Sequence, residues 1–260
     1  MLLTYGEYQE AGRLFEETVC VQAEVLGFDF ITTVQTRSRL AWVSHLQGEH
    51  MQAEILLRGV IDLQRRDAIH DDRLWSESHL AKVLSKQGRH DEAEELLRSV
   101  ISSQKILLGA EDRGTLWSKS CLAAVYSRQG KYEDAAKLAQ QTVALQEKIL
   151  GPGHPDTLES KSTLASAVED PARALRLLLD TANFQANLLG DEHPETLETQ
   201  FALALALIAQ GDFREAEVWL RQVKEVRLRV SGADHPETLV VDNCLADWCG
   251  PRYWTVKKWP

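Results

Sequence analysis

One spacing constrains this chain more than any other property. Leu74, Leu116, Leu158, Leu197 and Leu239 follow one another at steps of 42, 42, 39 and 42 residues, and Val34 stands one step before them. Six residues after each of these, a Leu-Ala pair returns: Leu40-Ala41, Leu80-Ala81, Leu122-Ala123, Leu164-Ala165, Leu203-Ala204 and Leu245-Ala246. A period in the range of roughly 20–50 residues marks a solenoid, in which each unit buries its apolar face against its neighbours and no single core is shared.

The stretch from Thr115 to Gly151 shows what one period contains. Leu116, Leu122, Ala123 and Tyr126 share one stripe at about 100° per residue, so they predict an amphipathic helix, here termed helix A. It ends at Gln129-Gly130, where Gly accepts the left-handed conformation of a helix C-terminus. Helix B then runs from about Tyr132 through Ala135, Leu138, Ala139, Thr142, Val143, Gln146 and Ile149 to Leu150-Gly151. Each period is therefore an antiparallel helix pair. The turn recurs as Gln47-Gly48, Gln87-Gly88, Gln129-Gly130 and Gln210-Gly211, and five residues after each Gly comes Ala53, Ala93, Ala135 or Ala216. A small side chain there lets the two helices approach closely.

The next unit starts on His154-Pro155-Asp156, His193-Pro194-Glu195 and His235-Pro236-Glu237. Proline suits the first helical position, and a carboxylate in the first turn complements the helix dipole. With one His per repeat and no other ligand type at fixed spacing, these imidazoles are expected to pack at helix starts, not to bind metal or act in catalysis.

Three departures carry information. Tyr5-Gly6-Glu7-Tyr8-Gln9-Glu10-Ala11 matches a turn and the start of a helix B, so the first unit is expected to lack most of its helix A. In the fourth unit the Gln-Gly turn is replaced by Asp170-Pro171, an N-cap and first-residue pair, and helix A is expected to be about one turn shorter. The last helix A is cut at Gly250-Pro251, after which an aromatic and basic tail, residues 250–260, is expected to cover the end of the stack. The domain expectation is a repeat array over residues 1–249, with full units near 31–68, 72–109, 113–151, 155–190 and 194–231 and a partial unit at each end.

A formal net charge of −10 argues against nucleic acid or an anionic membrane as the main partner, since both need a cationic surface. Cys20, Cys121, Cys244 and Cys249 are scattered without zinc-ligand spacing and read as free thiols. The N-terminus lacks the basic and apolar regions of a signal peptide, and the apolar run from Phe201 to Ala209 is far shorter than the ~20 residues that span a bilayer. The expected location is the cytoplasm, with no cofactor and no metal.

The pattern LGxxHPxTLxxxxxLAxxxxxQGxxxEA over about 42 residues resembles the kinesin-light-chain type of tetratricopeptide repeat, as found in the C-terminal arrays of fungal NLR-like proteins. The resemblance covers roughly residues 5–249. It implies an all-α fold, a right-handed superhelical solenoid of antiparallel helix pairs, with the A helices lining a concave groove that binds a peptide or protein segment. In that family Asn residues four and five positions after the repeat Leu fix the backbone of a bound peptide, and Asn243 keeps this identity here.

Helical arithmetic selects the groove residues independently. Counting from the repeat Leu, offsets 1, 4, 8, 11 and 12 cluster about 100° from the core stripe. In the N-terminal half they bring together Trp75 and Trp117, Ser78 and Ser120, Trp42 and Lys82, Lys86 and Arg128. Trp and Lys/Arg on one face of an acidic protein point to an acidic peptide with an aromatic or apolar anchor. The same residues have a plainer reading, in which the Trp side chains pack between repeats, the Ser column spaces the A helices and the cations are solvated. The leading functional expectation is thus a non-enzymatic protein-binding scaffold. A small-molecule or enzymatic pocket using His45, His79 and Cys121 is the second, and self-association through the ends of the stack is the third.

Overall fold

A computed structural model describes residues 5–66 and 70–248, and these contain twelve α-helices and no strand. The tail from Gly250, assigned above to capping, lies outside the described residues. Helices α1 (Tyr5–Val25), α2 (Ile31–Leu46), α3 (His50–Arg66), α4 (His70–Lys86), α5 (His90–Leu107), α6 (Arg113–Arg128) and α7 (Tyr132–Ile149) build one compact unit, Gly6–Gly151. A second unit begins at Pro152 and holds α8 (Pro155–Ala167), α9 (Pro171–Leu189), α10 (Pro194–Gln210), α11 (Phe213–Ser231) and α12 (Pro236–Trp248). The even-numbered helices are helices A, and the odd-numbered ones helices B.

The turns form as their chemistry requires. Gly48, Gly88, Gly130 and Gly211 adopt φ of 82°, 84°, 75° and 85°, and the Ala five residues later is fully buried in every case. The repeat Leu is the centre of each pair: Leu74, Leu116, Leu158 and Leu197 are buried, at about 1.5–3 kcal/mol for each side chain removed from water. Leu239, on the last described helix, departs from this rule at 48% exposure. Around it Val241 is buried instead, in a cluster with Leu197, Ala204, Leu220 and Val223.

The fourth pair has the expected short helix A, 13 residues in α8 against 16 in α6. Asp170 caps α9 by accepting a hydrogen bond from the Ala172 amide at 3.0 Å, with Pro171 in the first turn. The helix-start histidines have a defined task. Nδ1 of His154, His193 and His235 accepts the amide hydrogen of Asp156, Glu195 and Glu237 at 3.1, 3.3 and 3.3 Å. They are N-caps, as Asp112 is for α6.

The glutamine of the Gln-Gly turn links repeats. Its amide donates to the start of the preceding helix B: Gln87 Nε2 to the His50 carbonyl at 3.1 Å, Gln129 Nε2 to Asp91 at 2.9 Å, and Gln210 Nε2 to the Pro171 carbonyl at 2.8 Å. In the first unit an ion pair runs beside it at two steps, Arg89 to Glu54 at 2.7 Å and Lys131 to Glu94 at 2.8 Å.

Candidate functional site

The A helices α2, α4 and α6 lie side by side in the first unit, and their outer face carries an aromatic cluster. Trp75 and His79 are one turn apart on α4 and stack with ring centroids 3.7 Å apart. The other face of His79 stacks on Trp117 of α6 at 4.4 Å, and Trp42 of α2 meets the imidazole edge-on at 4.7 Å. Lys82, one turn further along α4, places its ammonium 5.1 Å from the Trp42 ring and 5.7 Å from the Trp117 ring. Both lie within the ~6 Å over which an indole face attracts a cation.

The imidazole at the centre is neutral. Its Nδ1 lies 2.9 Å from the Trp75 carbonyl oxygen, which can only accept, so Nδ1 carries the proton. Burial drives the pKa of His79 down to about 3, against the raising effect of that hydrogen bond and with a further lowering from Lys82. His45 is likewise held well below the ordinary histidine range, first by burial and then by Lys82, His50 and Lys86. The fixed positive charge on this face is therefore that of Lys82 and Lys86, with Arg128 of α6 joining it by donating to Ser85 of α4 at 2.9 Å.

The structure thus gathers Trp75, Trp117 and Lys82 into one wall, with Lys86 and Arg128 toward the C-terminal ends of α4 and α6. Trp75 is 41% exposed and Trp117 half-buried, so indole surface remains open. The Ser column turns toward the neighbouring A helices. Ser78 is fully buried and Ser120 nearly so, and the Ser78 hydroxyl lies 2.8 Å from that of Ser118 on the next A helix. Ser38 with Ser76 and Ser162 with Thr199 repeat the arrangement at 3.5 and 2.9 Å. A hydroxyl at offset 4 meets one at offset 2 of the following repeat, so at these three steps the hydroxyls sit between A helices. Asn243 is exposed on α12 of the second unit.

His79 is the member that offset counting passed over as a groove residue. The signal was available, since offsets 1 and 5 are one helical turn apart and hence share a face. Among the described residues no three His, Cys, Asp or Glu side chains are grouped to hold a metal ion, and no helix is long and apolar enough to cross a membrane.

Antiparallel helix pairs returning about every 42 residues, with buried small residues between successive A helices, define a helical-repeat protein. The chain belongs to the tetratricopeptide-repeat family: one tetratricopeptide-repeat model matches residues 115–156 and 196–237, and another matches 32–106. Kinesin-light-chain-like repeat proteins are among the solved structures it resembles. Two crystal structures of the putative kinesin light chain nearly identical TPR-like repeats from Podosopora anserina are each 33% identical to it, covering 75% of this chain and 95% of that one, with TM-scores of 0.54 and 0.52. BtubC from P. vanneervenii shares the fold at 21% identity over 86% of this chain and 91% of its own, with a TM-score of 0.57. No curated protein sequence matches the chain.

Proposed function

We propose that the protein is a non-enzymatic scaffold whose α2, α4 and α6 face binds an acidic segment of a partner protein. The tetratricopeptide repeat is in general a protein-interaction fold. The finer reading rests on one observation, the Lys82 ammonium standing between the Trp42 and Trp117 rings on a wall of stacked aromatics. A cation positioned this way is pre-organised, so a ligand carboxylate meets it without the full cost of ordering a lysine. Exposed indole beside it offers a flat apolar contact for an aromatic or aliphatic anchor, the kind of residue that dominates binding energy. Lys86 and Arg128 extend the positive face for further acidic residues.

The test uses the intact chain on an array of 12-residue peptides carrying Asp or Glu around one Trp, Phe or Leu, beside their Lys/Arg-substituted counterparts. The acidic peptides are expected to be retained. Trp75→Ala/Trp117→Ala and Lys82→Glu are each expected to weaken binding at least ten-fold while circular dichroism shows unchanged helicity. Equal retention of acidic and basic peptides, or indifference to these substitutions, would reject the groove. If instead the chain binds none and elutes as a concentration-dependent oligomer, self-association is the better account and the Trp residues are packing.

A further inference from the structure

The first described helix, α1, is a helix B, and the last, α12, is a helix A. α1 carries the signature that opens the other helices B: Gly6 stands five residues before Ala11, as Gly130 stands before Ala135. α1 can therefore be set against α7, and α12 against α6, position by position. Within the chain α6 and α7 form a complete pair, with α5 on the other side of α6.

The comparison shows which face each outer helix leaves open. In α7, Ala135 is 0% exposed and Thr142 1%, while Leu138 and Leu145 are half-buried. At the matching places on α1, Ala11 is half-buried, Thr18 is exposed, and Leu14 and Val21 are 49% and 60% exposed. In α6, Leu116, Leu122 and Ala123 are all buried. Their counterparts on α12 are Leu239 at 48% exposure, Leu245 half-buried and Ala246 exposed. α12 packs on α11 alone to any extent, so the side it leaves open is the one that α7 covers on α6. One open face is thus that of a helix B toward its helix A, and the other that of a helix A toward its helix B.

Neither open face carries charge. Ala11, Leu14, Thr18 and Val21 oppose Leu239, Leu245 and Ala246, and the small Ala11 and Ala246 repeat the Ala135 and Ala123 that let α6 and α7 approach closely. The carboxylates Glu10, Glu16, Glu17 and Glu24 of α1 stand at places whose counterparts on α7, Asp134, Gln140, Gln141 and Lys148, are exposed to solvent. Joining the faces therefore removes apolar surface from water and buries no unpaired charge.

We propose that α1 of one molecule docks on α12 of a second copy and completes the pair that α6 and α7 form within the chain. The seam continues an interface the repeat already contains. Because it joins two different surfaces, each molecule in such a contact keeps one face open, and growth proceeds head to tail beyond a dimer. A net charge of −10 on each chain opposes the approach, so the association strengthens as salt screens that repulsion. It is independent of the peptide site, since Trp75, Trp117 and Lys82 lie on neither α1 nor α12.

Sedimentation velocity of the intact chain should show an average mass that rises with protein concentration past that of a dimer, and rises further when NaCl goes from about 0.1 M to about 1 M. Leu14→Glu/Val21→Glu on α1 and Leu239→Glu/Ala246→Glu on α12 alter exposed positions, and each variant should sediment as a single chain with unchanged helicity. Mixed in equal amounts, the two variants should form a dimer containing one copy of each and nothing larger, because one intact seam remains between them. A single-chain mass for the intact protein at every concentration, a variant that still self-associates alone, or a mixture that stays monomeric would each overturn the proposal. Acidic peptides should bind both variants as they bind the intact chain. Loss of the seam therefore leaves the peptide site standing, and an array that retains no acidic peptide leaves the seam standing.

Discussion

His79 shows how much a single residue can be altered by its surroundings. In the sequence it is one of eight histidines, with an ordinary pKa near 6.5; between Trp75 and Trp117 its imidazole is neutral down to about pH 3. A folded-state pKa below the unfolded one means that the unfolded chain binds more protons between the two values. The stability held by neutral His79 is therefore complete above about pH 6.5 and is withdrawn as pH falls toward 3. Two pH units into that window correspond to about 3 kcal/mol. We expect the urea midpoint, followed by Trp fluorescence, to fall between pH 7 and pH 4.5 in the intact chain. In His79→Phe, which cannot be protonated, the fall should be smaller. Equal falls in the two proteins would show that other groups, such as His45 or the carboxylates, carry the acid sensitivity.

At the scale of the element, the turn between helices A and B does two jobs, and sequence inspection reveals one of them. The glycine is explained locally, by its positive φ. The glutamine before it is explained only by the neighbouring repeat, to which Gln87 and Gln210 donate across 37 and 39 residues of chain. Removing such a neutral hydrogen bond costs about 1 kcal/mol, more when the acceptor is left without water. Gln87→Ala is accordingly expected to lower the melting temperature by about 2–4 °C. Gln87→Glu should not restore it, because an ionised carboxylate has no hydrogen to give the His50 carbonyl. Full recovery of the melting temperature in that variant would refute the staple.

For the molecule as a whole, the relevant contrast is between a net charge of −10 and a binding face marked by Lys82, Lys86 and Arg128. An acidic ligand is repelled by most of the surface and attracted by this part of it, which favours one orientation of encounter. Salt acts on that contrast, since the screening length shrinks from about 10 Å at 0.1 M to about 3 Å at 1 M. Affinity of the intact chain for an acidic array peptide should fall several-fold between 0.1 and 1 M NaCl, mainly through a slower association rate, with stacking on Trp75 and Trp117 left as the residual. A salt-independent affinity measured by surface plasmon resonance would mean that the cations are not part of recognition.

Sequence by itself determined the period, the helix pairs, the glycine turns, the capping of α9 by Asp170 and the shortening of α8, because each depends on residues close in the chain. It also brought Trp75, Trp117 and Lys82 to one face, since the repeat converts a fixed offset into a fixed direction. Tertiary structure alone decided what those directions meet. At offset 4 the next A helix is close enough for Ser78 to reach Ser118, so the Ser78 hydroxyl is buried between two helices. At offset 5 the same closeness inserts His79 between indoles from two helices. The distance between neighbouring helices is set by the summed side-chain volumes of both, and that quantity belongs to no single repeat.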